Sequence, residues 1–155
     1  MPLYKTIHVN DFTNVLIWKI EEPLPDLMAD IHLSENSQNR LNSMKSELHQ
    51  RGFMSIRHLL KVAGYTDADL QYDEFGKPHL KDGNSISITH SFTFTAIIVS
   101  TKDIVGIDIE MQRDKIVKIA HKFTPFEEYK TIANHSALVS KLTIVWGAKE
   151  SLYKI

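Results

Sequence analysis

Over most of the first hundred residues, apolar positions either alternate or cluster in short runs bounded by turn residues. Thr6–Val9 and Val15–Ile20 read as two strands around the turn Asn10-Asp11-Phe12-Thr13-Asn14. Near Ser34 the period changes. Leu41, Met44, Leu48, Ile56, Leu59, Leu60 and Ala63 form a helical stripe with a gap at Gly52. Ser34 suits the N-cap, with Glu35 in the first turn, and Gly64 suits the C′ position, so one long helix is expected. Strands follow at Leu70–Tyr72 and Lys77–Leu80, around Asp73-Glu74-Phe75-Gly76, and at Ser85–Ser91. Phe94–Ser100 and Ile104–Glu110 read as a hairpin around Thr101-Lys102-Asp103. Helical patterns fill the remainder, at Asp114–Lys122, Pro125–Ala133 and Ala137–Lys154. Strands dominate the middle and helices the end, which is an α+β arrangement.

Composition narrows the class. The chain has 155 residues, 43% hydrophobic and 24% charged, as in ordinary globular proteins. Its net charge of −1 gives no global attraction to nucleic acid or to a membrane surface, so neither is an expected partner and any anion site must be local. The absence of cysteine excludes a disulfide scaffold, a thiolate metal site and thiol catalysis. No apolar run approaches a bilayer span and no signal-peptide pattern opens the chain, so a cytoplasmic location is expected. No Gly-rich phosphate loop occurs among the six glycines.

The candidate chemistry lies in the last third. In a strand over Ile104–Glu110, Asp108 and Glu110 would share a face, roughly 6–7 Å apart. That spacing suits a divalent cation between two carboxylates; it equally suits a solvated strand face. On a helix, Trp146, Glu150 and Lys154 fall at i, i+4 and i+8, on one side. They suit either a packed Trp beside an ordinary Glu–Lys pair or a third ligand followed by a phosphate-binding lysine. Mg²⁺ usually takes one or two carboxylates and completes its octahedron with phosphate and water, which fits three acids beside lysines. The eight histidines show no zinc-ligand spacing. Thr124, Pro125 and Glu127 have the pattern of a capping box, with Pro at N1.

These residues resemble the signature of the 4′-phosphopantetheinyl transferases. The family pattern is (I/V)-G-(I/V)-D, then forty-odd residues, then (F/W)-x-x-K-E-(S/A)-x-x-K. Val105-Gly106-Ile107-Asp108 and Trp146-Gly147-Ala148-Lys149-Glu150-Ser151-Leu152-Tyr153-Lys154 match it, with Asp108 and Glu150 42 positions apart. Gly76-Lys77-Pro78, the segment Ile86-Ser87-Ile88-Thr89-His90-Ser91, and Arg51 upstream resemble the longer, surfactin-synthetase-activating type.

The resemblance implies transfer of the phosphopantetheine arm of coenzyme A to a serine of an acyl or peptidyl carrier protein, releasing adenosine 3′,5′-bisphosphate. It assigns Mg²⁺, with Mn²⁺ an alternative, to Asp108, Glu110 and Glu150. Lys149 and Lys154 would add positive charge, and Arg51, Lys77, His90 and Ser91 would hold coenzyme A. The general base would be a glutamate between the signature motifs. A capping duty for Glu127 favours Glu128.

The resemblance also implies two similar α+β halves. Residues 1–103 would form the half holding the nucleotide end, and residues 104–155 the half carrying the metal site. Family members of this type continue past the equivalent of Lys154. The second half is therefore expected to be incomplete, in a monomer or with a partner completing its sheet. A non-catalytic fragment that keeps the coenzyme A pocket is the alternative from another class. A nucleotide-phosphate hydrolase is disfavoured, because a P-loop is absent and the G-K-P and T-H-S segments are present.

Overall fold

The computed structural model describes residues 3–155, so Met1 and Pro2 of the expected first domain lie outside the described residues. Strands β1 (Leu3–Asn10), β2 (Thr13–Lys19), β5 (Ser85–His90) and β6 (Phe94–Ser100) form one antiparallel sheet in the order β1-β2-β6-β5. Strands β3 (Leu70–Tyr72) and β4 (Pro78–Leu80) form a separate ribbon. Helix α1 (Leu24–Met28) follows β2; no element was expected there. Helices α2 (Glu35–Ser43) and α3 (Glu47–Val62) lie between β2 and β3, and α4 (Ile116–Ile119) and α5 (His135–Tyr153) complete the chain. The class is α+β.

Pleating gives the main sheet two different faces. Leu16, Trp18, Ile86 and Ile97 join Phe53, Ile56, Leu59 and Leu60 of α3 in the principal core. The opposite face of β5 carries Ser85, Ser87 and Thr89, which alternate with Ile86 and Ile88. A smaller cluster of Ile116, Ala120, Val139 and Leu142 holds α4 against α5, with Phe123 and Trp146 packed on it.

The single long helix is corrected to two. Ser34 caps α2 as expected, its hydroxyl accepting from the Ser37 N–H. The chain becomes extended at Met44, where the Gln50 amide donates to the carbonyls of Leu41 and Met44. The reason for the break is tertiary. Asp67 accepts from Ser34 N at 2.9 Å, Ser37 Oγ at 2.9 Å and Arg57 Nε at 2.9 Å, which ties the start of α2 to the loop beyond α3. An unbroken helix would hold residues 34 and 62 about 42 Å apart, beyond the reach of the five residues leading to Asp67. The expected stop at Gly64 holds. It takes φ +91°, and Gly64 N donates to Lys61 O while Tyr65 N donates to Leu60 O, closing a Schellman motif.

The expected hairpin between Phe94–Ser100 and Ile104–Glu110 does not form. Strand β6 lies between β2 and β5, so both its edges are already paired. Residues 104–110 instead run extended along β5, outside any backbone ladder. The expected helix over Pro125–Ala133 is also absent, replaced by one 3₁₀ turn at Phe126–Glu128.

Candidate active site

Segment 104–110 brings the first motif to α5, which carries the second. Gly106 is where the two backbones come closest: a Cβ there would lie 2.0 Å from the Ser151 carbonyl oxygen, so only glycine admits this approach. The same packing sets Gly147 of α5 beside Asp108, where a Cβ would lie 3.5 Å from Oδ2. Lys154, at the end of α5, donates to Ile107 O at 3.0 Å and to Asp108 Oδ1 at 3.2 Å. Trp146, two turns earlier, donates from Nε1 to Glu110 Oε1 at 3.1 Å and packs edge-on against Phe123.

Asp108 is held with one oxygen committed and the other idle. Its side chain is 7% exposed. Oδ1 meets Lys154, with the Thr89 hydroxyl at a long 3.4 Å, while Oδ2 is buried without a hydrogen-bond partner. An unpaired buried carboxylate oxygen is costly unless something positive completes it. Glu110 feels the same crowding. Burial first, then the neighbouring Asp108 carboxylate and the charge of Glu150, push its pKa above the ordinary 4.5, while the Trp146 hydrogen bond opposes them. The donor set is all oxygen, as a hard divalent cation requires. Among the described residues no three acidic or histidine side chains sit close enough to hold a metal by themselves. The arrangement fits a cation taken by one or two carboxylates, with substrate and water supplying the rest.

Two clefts of sizes usual for small-molecule sites lie nearby, one reached by Glu110 and the other by Lys154, while Asp108 and Glu150 line neither. One, of about 590 Å³, is lined by Glu110, His90, Ser91, Phe92, Trp146 and Arg113, among others. The other, of about 670 Å³, is lined by Lys77, Lys154, His90, Arg40, Arg57 and Tyr72, among others. His49 and His90 line both. Lost hydration first, and then the positive charges of Lys154, His49 and Arg40, hold the His90 imidazole below its ordinary 6.5. Burial disfavours charge of either sign; only the three neighbouring positive groups favour an anion there.

The structure thus brings Lys77, His90 and Lys154 to one cleft and Ser91 and Glu110 to the other. It does not bring Arg51 to either; its Nε donates to the Glu22 carbonyl at 2.8 Å. Arg40 and His49 are there instead. They carried no motif: Arg40 comes from α2, which the break at Met44 separates from α3, and His49 from the first turn of α3. Lys149 donates to the Phe123 carbonyl.

The capping-box reading of Glu127 and Glu128 is reversed. Thr124 Oγ1 donates to Glu128 Oε2 at 2.6 Å, whereas exposed Glu127 pairs with Lys130. The local structural duty therefore belongs to Glu128, and neither glutamate lines a cleft.

Residues 104–155, the C-terminal third of the chain, match the family model of the 4′-phosphopantetheinyl transferase superfamily. The matched segment holds Asp108, Glu110, Glu150 and Lys154. It points to phosphopantetheine transfer in general, with coenzyme A and a carrier protein as the general partners. No curated protein matches the chain. Among the described residues no helix is long and apolar enough to cross a membrane.

Proposed function

We propose that this chain is a Mg²⁺-dependent enzyme of the surfactin-synthetase-activating type. It transfers the 4′-phosphopantetheine arm of coenzyme A to a serine of an acyl or peptidyl carrier protein. The observation that supports this most directly is the buried, partnerless Oδ2 of Asp108, set beside Glu110, which lines one cleft, and Lys154, which lines the other. Asp108 and Glu110, with Glu150 nearby, would hold Mg²⁺ or Mn²⁺, which when bound offsets the charge of the pyrophosphate.

The carrier serine oxygen bonds to the phosphorus bearing the pantetheine, the P–O bond to the nucleotide breaks, and adenosine 3′,5′-bisphosphate leaves. The serine proton passes to a carboxylate. Glu128 keeps that role only by giving up the Thr124 hydroxyl; the exposed Glu127 has just Lys130 to release. Lys154 supplies positive charge beside the reacting phosphates; Lys149 joins it only by releasing the Phe123 carbonyl. Positioning and charge neutralisation are the main sources of rate in such a transfer.

The direct test is incubation with coenzyme A, Mg²⁺ and an apo carrier protein, read by intact-mass spectrometry. One phosphopantetheine mass should appear on the carrier serine. Retention of coenzyme A without transfer would favour the non-catalytic binding reading.

In the cleft that holds Lys77, His90 and Lys154, Arg40 takes the anion-binding place that the motif comparison gave to Arg51. Coenzyme A should therefore bind more tightly than its 3′-dephosphorylated form, since hydrogen bonds between charged partners are about twice as strong as neutral ones. A bound phosphate raises the His90 pKa, so binding takes up a proton and tightens as pH falls toward and below 6.5. The phosphate monoester itself gains a proton near pH 6 and opposes the trend. The informative quantity is the difference between wild type and His90→Ala by calorimetry at several pH values. Parallel pH profiles for the two proteins would remove His90 from the nucleotide site.

A further inference from the structure

We propose that Ser85, Ser87 and Thr89 are positioning residues, a hydroxyl ladder that sets the register of the Asp108 segment against α5. The inference rests on the functional reading above for its consequence, but on geometry alone for the ladder.

The three side chains project from β5 at i, i+2 and i+4, on the face away from the principal core. Ser85 Oγ accepts from Val105 N at 3.2 Å, Ser87 Oγ from Ile107 N at 3.2 Å and Thr89 Oγ1 from Ile109 N at 3.1 Å. The offset is the same at each rung, so residues 105–109 run parallel to β5. Strand β5 is the edge of its sheet and had carbonyls with which to pair. The segment takes the hydroxyls instead, and so lies across the face of the strand, where α5 can reach its other residues.

This arrangement fixes which residues α5 meets. Gly106 lies against Ser151, Asp108 against Gly147 and Lys154, and Glu110 against Trp146. A slip of one residue would turn Ile107 and Ile109 toward α5, because extended side chains alternate. A slip of two would preserve the face but carry Asp108 roughly 6–7 Å along the chain, away from Lys154. Gly106 blocks both, since no other residue could occupy its place. The hydroxyls add three discrete stops, and Ser87 and Thr89 are themselves buried. Thr89 does most, because its oxygen accepts from Ile109 N and its proton points toward Asp108 Oδ1 at 3.4 Å. Groups that orient a metal ligand in this way commonly change metal affinity 10–100-fold when removed.

The test compares Thr89→Val, which keeps the shape without the hydroxyl, with Thr89→Ser, which keeps the hydroxyl. Amide exchange at Ile109 is followed by NMR, and Mn²⁺ alone is titrated by electron paramagnetic resonance. In Thr89→Val the Ile109 amide should exchange at least about 10-fold faster and Mn²⁺ should bind about 10-fold more weakly. Thr89→Ser should restore both. Unchanged exchange at Ile109 would overturn the ladder. Faster exchange with unchanged Mn²⁺ affinity would overturn its positioning role. If wild type binds no Mn²⁺ while the exchange results hold, the ladder stands and the metal assignment fails.

Discussion

Asp108→Ala should reduce phosphopantetheine transfer by roughly 10³-fold while leaving the fold intact. A bound metal typically supplies several kcal/mol of charge stabilisation, and each 1.4 kcal/mol is about tenfold in rate. Asp108 is the buried member of the acid cluster, and its free oxygen is the one most in need of a positive partner. Glu150→Ala should act in the same direction. Glu110→Ala should be milder, because a water can replace a ligand on the more exposed side of the cluster. The fold should survive all three changes. Lys154 keeps the Ile107 carbonyl, and deleting Asp108 removes a buried oxygen that has no partner. Transfer rates, with circular dichroism as the control for folding, check this. Wild-type turnover in Asp108→Ala would reduce these acids to a structural cluster.

The second large effect is on stability. Asp67→Ala should destabilise the protein by about 3–5 kcal/mol, the usual consequence of leaving one member of a buried ion pair unpaired. The Asp67 and Arg57 side chains are 1% and 4% exposed and meet at 2.9 Å. The guanidinium also lies 3.5 Å from the centre of the Phe53 ring. Without its carboxylate, Arg57 would stay buried and charged, and the start of α2 would lose its tie to α3. For a chain of this length each kcal/mol lowers Tm by about 2–4 °C, so a fall on the order of 10 °C is expected. Replacing both partners with apolar residues should recover much of it. A single-mutant loss below about 1 kcal/mol would mean that α2 is held by something else.

The same carboxylate gives the protein an acid limit. Burial alone would raise the Asp67 pKa, but hydrogen bonds from Ser34, Ser37 and Arg57 outweigh it and hold the group below its ordinary 3.8. A depressed carboxylate stabilises the fold fully above the unfolded value, and that contribution disappears as pH falls through the folded one. The loss attributable to Asp67 should therefore begin near pH 3.8 and grow below it. In Asp67→Ala this part of the acid unfolding profile should flatten.

The strands and caps of the first hundred residues were legible because their signals are local. Alternation at Ser85–His90 and Phe94–Ser100, the Ser34 cap and the Gly64 stop each depend on a few neighbouring residues, and each stands where expected. The reading of Thr124 as an N-cap failed for a related reason. A capping signal is valid only if a helix follows, and here one 3₁₀ turn does. The alternation of Ser85, Ser87 and Thr89 with isoleucines was also visible. It reads as an ordinary polar face until another segment lies across it.

By itself the sequence determined the α+β class, the two signature segments and the helical spacing that puts Trp146, Glu150 and Lys154 on one side of α5. These follow from side-chain chemistry and the periods of helix and strand, which act over a few residues. Only the tertiary structure decided that α2 breaks from α3 and brings Arg40 to the cleft beside His49 of α3, while Arg51 turns to Glu22. Only it laid residues 104–110 across β5 rather than beside β6. Both outcomes depend on partners distant in sequence, Asp67 for α2 and the β5 hydroxyls for the Asp108 segment. A residue's own pattern does not encode which edge is already paired, or which buried charge awaits it.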